Sequence, residues 1–157
     1  MSWPSQGFTR LLGNELYPSR PSLPNAQALT SPSRLAALHN TGLLDTPEDE
    51  RFDGFTRLAA QILGVPTVVI SLVDSERQYF KSVASTGAVA RGWNPQNATF
   101  CQDVVANREA LVVPDTEKEP LAAGRQMSAR AYAGVPPIIH GQVLGAVCPM
   151  GSVPPPR

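Results

Sequence analysis

The order of apolar and polar positions divides the chain into a short series of elements. Residues 1–30 carry Pro, Ser, Asn and Gln without period, and prolines at 4, 18, 21 and 24 exclude a continuous helix. This stretch is expected to be a flexible or loosely docked extension, with GFTRLLGNEL its one helical segment. Order is expected from Ser31, an N-cap residue followed by Pro32 at the first helical position. Leu35, Leu38 and Leu43 then form a short apolar stripe. A second helix is predicted with Thr46 as cap, Pro47 as first residue, and Glu48, Asp49 and Glu50 at the positive end of its dipole. Phe52, Phe55, Leu58 or Ala59, and Ile62 recur at helical spacing and are the face expected to meet a core. Gly64 with Val65-Pro66 ends it.

The run PTVVISLVD is apolar on both faces and β-branched, the pattern of a strand buried on two sides. DSER turns the chain, and QYFKSVAS returns as a second strand, so residues 66–85 form a predicted hairpin. Residues 86–99 have the composition of a long loop. A short helix over 100–107 and a strand over 110–113 follow. Residues 116–130 mix Pro, Gly and scattered charge, with one helical turn at PLAAG. Residues 131–139 and 142–148 are predicted to close the chain as a hairpin turning at His140-Gly141. No repeat occurs at any period. Helices first and strands after them describe an α+β fold with an antiparallel sheet.

A length of 157 residues suits one domain with a sizeable core. Thirteen basic residues balance thirteen acidic ones, so no charge excess points to nucleic acid or anionic lipid. Two cysteines make neither a disulfide framework nor a CxxC pair, and a reduced, cytoplasmic state is expected. No uncharged apolar run approaches the ~20 residues that span a bilayer. The N-terminus lacks the continuous apolar stretch of a signal peptide.

Several segments, taken in order, resemble the GAF domain. They are RLAALHNTGLLDTPEDERFDGFTRLAAQILGVP, VVISLVDSERQYFKS, TFCQDVV, ALVVPD, AYAGVP and LGAVC. The resemblance runs from about Leu35 to Arg157 and is nearest to the subtype of bacterial sensor histidine kinases and diguanylate cyclases. It implies a GAF-like domain over 31–157 with a central six-stranded antiparallel sheet. Helices are expected on one face of that sheet, and pocket-covering loops and short helices on the other. Carried over residue by residue, the implied ligand-pocket wall is Ser71, Phe80, Phe100, Cys101, Asp103, Tyr132, Gly134 and Cys148. The sequence departs from the subtype at Asp103, where a His is usual, and at Cys148-Pro149-Met150-Gly151, where Cys-Val-Ile-Asp is usual. Because Pro149 has no N–H to donate, and Pro136-Pro137 interrupt the preceding strand, a short, bulged or edge hairpin is expected. The long C-terminal signalling helix of the subtype is not present in the sequence.

Cys101 carries the chemical question. A reactive thiol needs a helix N-terminus, a cation or a base beside it. Cys101 opens a predicted helix, Asp103 opposes a thiolate, and neither His39 nor His140 is near in sequence. Nucleophile, ligand attachment point and buried wall residue stay open, the last being the ordinary place of a free cysteine. Relatives that bind bilins place His directly after the attachment cysteine, whereas Gln102 follows here. Haem-binding relatives need an axial His, and His39 and His140 are expected at the surface. Asn97, Phe100 and Asp103 overlap the cyclic-nucleotide signature only by coincidence, since its Lys and spacing are missing. No P-loop, dinucleotide fingerprint, GxSxG or metal cluster is present in the sequence. Arg125 and Arg130 flank the implied pocket loop and suit either an anionic ligand or solvent. Trp93 suits a lid or a satellite core.

The expected function is that of a non-catalytic sensory or regulatory domain in bacterial signal transduction. It would bind an unknown small molecule or partner and act through a dimer mate or a separate output protein, with no nucleic acid and no membrane. The cofactor is unknown. One alternative is a cysteine-dependent enzyme such as a free methionine sulfoxide reductase using Cys101. The other is a ligand-free dimerisation module in contact through residues such as Leu12, Leu38 and Phe52.

Overall fold

The computed structural model describes residues 26–87, 89–95, 99–123 and 129–152. Leu12, Asn97, Arg125, the GFTRLLGNEL segment and the extreme C-terminus lie outside the described residues. Helices α1 (Ala26–Leu29) and α2 (Pro32–Asn40) are followed by α3 (Glu50–Leu63). Strands β1 (Thr67–Val73), β2 (Arg77–Ser85) and β3 (Gly92–Pro95) precede α4 (Cys101–Asn107) and β4 (Leu111–Val113). Strands β5 (Ala131–Gly134), β6 (Ile138–Ile139), β7 (Gln142–Val143) and β8 (Gly145–Gly151) complete the order. The result is the expected α+β fold, with one six-stranded sheet in the order β3-β2-β1-β8-β5-β4 and every paired neighbour antiparallel. No helix among the described residues is long and apolar enough to cross a membrane.

β1 sits between β2 and β8, which is why its apolar residues run without alternation. Its α4-side residues, Val69 and Val73, join a core with Phe80, Val104, Val105, Tyr132 and Met150. Val68 on the other side packs with Ala131 and Ala133 against Ala59, Ala60 and Leu63 of α3. The β1–β2 register shifts between Ile70 and Ser71, so that Lys81 is an extra residue in β2. The buried Lys81 Nζ donates to Thr46 Oγ1 at 2.7 Å and to Pro47 O at 2.8 Å.

Those bonds explain one departure from the sequence reading. Thr46 and Pro47 receive Lys81 and do not start a helix; α3 begins at Glu50, with Asp49 accepting from Arg51 N at 2.9 Å. A second departure is the face α3 buries. Phe55, Leu58 and Ile62, which occupy three of the four positions of the expected core stripe, are 51%, 55% and 70% exposed. The inward stripe is Phe52, Thr56, Ala59, Ala60 and Leu63, at the same period but rotated. Its small members let the helix lie close to the sheet. Leu38, offered as a contact residue, is fully buried with Leu72, Tyr79 and Leu144.

The last strand is not an edge. β8 lies between β1 and β5, with Pro149 opposite Val68. The proline is accommodated because the β5–β8 ladder lapses there, between the Tyr132–Met150 pair and the Val135–Val147 bridge. Pro136-Pro137 end β5 early, and β6–β7 forms a separate ribbon turning at His140 and Gly141, both at positive φ. Gly145 is where β8 approaches β1 most closely: a Cβ there would lie 1.8 Å from Ser71 O. β3 had no sequence signal apart from Trp93, which packs edge-on against Tyr79 and donates to Asp45 Oδ1 at 2.6 Å. Trp93 is therefore a satellite-core residue. Within the stretch read as an extension, α1 is formed and Leu29 joins the core.

Candidate functional site

The interior between the sheet and α4 holds an unusual concentration of sulfur and hydroxyl groups. α4 starts with Cys101, whose backbone N–H donates to Thr99 Oγ1 at 3.1 Å. This turn directs the thiol inward, toward β8. There Cys148, register partner of Val69, brings its Sγ to 2.8 Å from Cys101 Sγ. Tyr132 of β5 donates its hydroxyl to Cys101 Sγ at 3.4 Å and lies 3.2 Å from Cys148 Sγ. Its ring meets Phe100 edge-on at 5.3 Å between centroids.

A polar chain extends this cluster across the sheet. Ser71 Oγ and Thr99 Oγ1 both donate to Gln78 Oε1, at 2.9 and 3.0 Å. Gln78 Nε2 donates to Pro95 O at 2.7 Å. The network ties β1, β2, β3 and the start of α4 together, and buried polar groups satisfied in this way rigidify a core. Gln78 and Thr99 were missed from the sequence. Gln78 had a signal: it shares the strand phase of Phe80, so it is a polar residue on a buried face.

All eight wall candidates are buried. Phe80, Phe100, Cys101, Tyr132 and Cys148 share one cluster. Ser71 joins through Gln78. Gly134 makes room for the tyrosine, since a Cβ there would stand 2.4 Å from Tyr132 Oη and 2.8 Å from Val104 Cγ2. Asp103 is buried in the first turn of α4. Apart from Asp103, the candidates thus fill the interior against one another, with Tyr132 as the central plug. On the same side lies an open groove of about 540 Å³ bordered by Thr67, Ser85, Val89, Ala129 and Met150. Met150 is the register partner of Tyr132, so the groove floor abuts the plug.

The three titratable groups of the cluster split in their proton affinity. Burial pushes the Cys101 thiol up, but hydrogen bonds with Cys148, Thr99, Tyr132 and Ser71 outweigh it and leave its pKa lowered. Burial drives Cys148 well up, and its bond to Cys101 and the charge of a Cys101 thiolate add to this. Burial and the two sulfurs likewise hold Tyr132 protonated well above the usual phenol range.

Elsewhere, His39 Nε2 lies 3.2 Å from Asp74 Oδ1, and His140 is exposed at its turn. Arg130 is bound to Asp115 at 3.2 Å and to Glu117 at 3.3 Å. Buried Arg34 ties α1 to the sheet, donating to Leu29 O at 2.9 Å and Val73 O at 2.7 Å.

A family model described as the GAF domain matches residues 47–156. The cyclic di-GMP phosphodiesterase PA2567 of Pseudomonas aeruginosa is 30% identical over 122 residues, covering 74% of this chain and 20% of that protein. The chain therefore spans about a fifth of that relative's length. The GAF domain of an Acinetobacter phosphoenolpyruvate-protein phosphotransferase superposes with a TM-score of 0.56 at 15% identity, covering 79% of this chain and 80% of that one. Free methionine-R-sulfoxide reductase from Neisseria meningitidis gives a TM-score of 0.56 at 16% identity, covering 88% and 82%. At such identities the structural matches show the shared fold.

Proposed function

We propose, for a chain that belongs to the GAF domain family, a non-catalytic sensory or regulatory role in bacterial signal transduction. A small molecule is bound on the α4 side of the sheet. The observation that carries this reading is the position of Tyr132. It plugs the interior next to a groove of about 540 Å³, so admitting a ligand and moving one side chain are the same event. The ligand favours a state with Tyr132 displaced, and the population shifts by its differential affinity for the two states.

The shift reaches α3 through β2. Phe80 and Gln78 face the plug, while Ser82 of the same strand bonds Thr56 and Asp53 of α3. The outward stripe of α3 is the output surface, and a second copy of the chain is its proposed partner. Phe55 and Val135 border one apolar cleft of about 350 Å³, which extends the stripe onto the sheet face formed by Val68, Ala133, Val147 and Pro149.

The test is a thermal-denaturation screen against fractions of a bacterial small-molecule extract. A binding fraction raises the midpoint, by about 2.7 kcal/mol of stability at one hundred times Kd. Gly87 borders the groove and a Cβ there meets only Ser85 Oγ at 3.7 Å, so Gly87→Phe sets a bulky side chain at the groove rim with no clash at its Cβ. That variant is expected to lose the shift. A shift that survives it contradicts this site.

Reduction of methionine sulfoxide is the second reading, favoured by the contact between the two cysteines and the lowered pKa of Cys101. Turnover of free methionine sulfoxide that disappears in Cys101→Ser supports it, and absence of turnover in the intact chain retires it.

A further inference from the structure

Cys101 and Cys148 are 47 positions apart in sequence, come from different elements, and point their sulfurs at one another across 2.8 Å. Both are free thiols. We propose that they form a reversible intramolecular disulfide on two-electron oxidation by a hydroperoxide, making the interior a thiol–disulfide modification site. The inference stands on this geometry and not on the regulatory reading.

A disulfide needs its sulfurs at about 2.05 Å, so closing the bond asks for a movement below ~1 Å. Thr99 fixes the turn that carries Cys101, and two flanking strands hold β8, so the thiols are presented to each other by ordered backbone.

The two cysteines divide the labour. Cys101 accepts a hydrogen bond at its sulfur from the Tyr132 hydroxyl, a contact that favours a thiolate. Cys148 keeps its proton. The Cys101 thiolate attacks the peroxide, forming an S–O bond as the O–O bond breaks, and the leaving oxygen takes a proton to become water or an alcohol. Cys148 sulfur then attacks the sulfenic sulfur. The S–S bond forms, the S–O bond breaks, and the Cys148 proton leaves with the hydroxide as water. Two thiols are oxidised and one peroxide is reduced.

Both sulfurs have no exposure, so oxidation waits on local opening of the α4 start and is slower than for thiols of the unfolded chain. Once made, the bond ties α4 to the central strand β8 and takes both S–H groups away from Tyr132. Oxidation therefore acts on the residue that plugs the interior.

The experiment treats the full, reduced chain with hydrogen peroxide, blocks remaining thiols, and reads the intact mass and a non-reducing peptide map. The expected result is loss of two hydrogen atoms, a peptide linking Cys101 to Cys148, and reversal by dithiothreitol. The melting temperature of the oxidised chain is expected to rise on the order of 10 °C. Oxygen addition without a cross-link, a bond between two chains, or two thiols still open to alkylation after treatment overturns the proposal. Cys148→Ala tests the order of events: a sulfenic acid trapped at Cys101 by dimedone is expected, and none at Cys148 in Cys101→Ala. The reverse pattern overturns the assignment of Cys101 as the attacking thiol. Because the readout is a mass, the result does not depend on any regulatory ligand.

Discussion

Thr56 of α3 and Ser82 of β2 share a buried hydrogen bond of 3.0 Å, and Ser82 also donates to Asp53 Oδ1 at 2.5 Å. This is the polar link between the sheet and the helix that carries the exposed apolar stripe. Elsewhere α3 meets the sheet through alanines and Leu63, and through the Phe52 ring, 5.6 Å from Lys81 Nζ. The link also lies on the strand that carries Gln78 and Phe80 on its other face.

Thr56→Val keeps the shape and removes the hydroxyl, leaving Ser82 bonded to Asp53. A loss of about 1 kcal/mol is expected in urea unfolding. Amide hydrogen exchange is expected to quicken in α3 while β1 and β8 stay protected. Uniform loss of protection would mean that α3 does not move as a unit.

Tyr132→Phe keeps the ring on Phe100 and removes the hydroxyl between the sulfurs. It is expected to cost about 1 kcal/mol. Tyr132→Ala leaves the interior open and is expected to cost about 3–5 kcal/mol, as for other large-to-small core changes. If the two variants unfold at the same denaturant concentration, the ring is not the plug described.

Gly134→Ala sets a methyl against Tyr132 Oη and Val104. Overpacking of this kind is expected to cost about 1–3 kcal/mol. Since relief comes by moving Tyr132, the phenol absorption of this residue should shift toward that of a solvated tyrosine. A stable variant with an unchanged spectrum contradicts the tight fit.

Asp49 caps α3 and is held at about 2 by the Arg51 side chain, with help from the Arg51 backbone N–H. Its folded pKa is below the model-peptide value of 3.8, so its contribution is full above that value and fades as pH falls toward 2. Asp49→Asn retains a cap and cannot titrate. Its stability is expected to fall less steeply between pH 4 and 2, by about that one group. Parallel curves for the two proteins would remove Asp49 from acid sensitivity.

Ile62 is 70% exposed, so Ile62→Glu is expected to leave folding intact. Sedimentation at rising concentration should show assembly of the parent chain and its loss in the variant. A parent that stays monomeric throughout contradicts the proposed second-copy contact.

Much of the fold was legible because β1 wrote its own position. Six of its seven residues are buried, on both faces, and only a central strand allows that. Seven of the eight residues read as a pocket wall lie together in the interior, because antiparallel register places Ser71, Tyr132 and Cys148 on the α4 face; that they line a ligand pocket is a proposal. Other features depended on partners far along the chain. Thr46 looks like a cap until Lys81, displaced by a bulge, claims its hydroxyl. Phe55, Leu58 and Ile62 look like a core face because hydrophobic periodicity gives a stripe but not its neighbour. The smaller Thr56, Ala59 and Ala60 fit the sheet better. Pro149 suggests an edge until the lapse in the β5–β8 ladder is seen beside it. The sulfur contact has no local signature at all, since its halves are 47 positions apart.

The most direct test of the regulatory account is native mass spectrometry of the chain, freshly purified and after incubation with a bacterial small-molecule extract, with an absorption spectrum of each sample. The account calls for an excess mass that survives gentle ionisation, is lost on denaturation, and fails to appear in Gly87→Phe. An unliganded mass in both samples, at concentrations where the fold is intact, would contradict a ligand-operated domain.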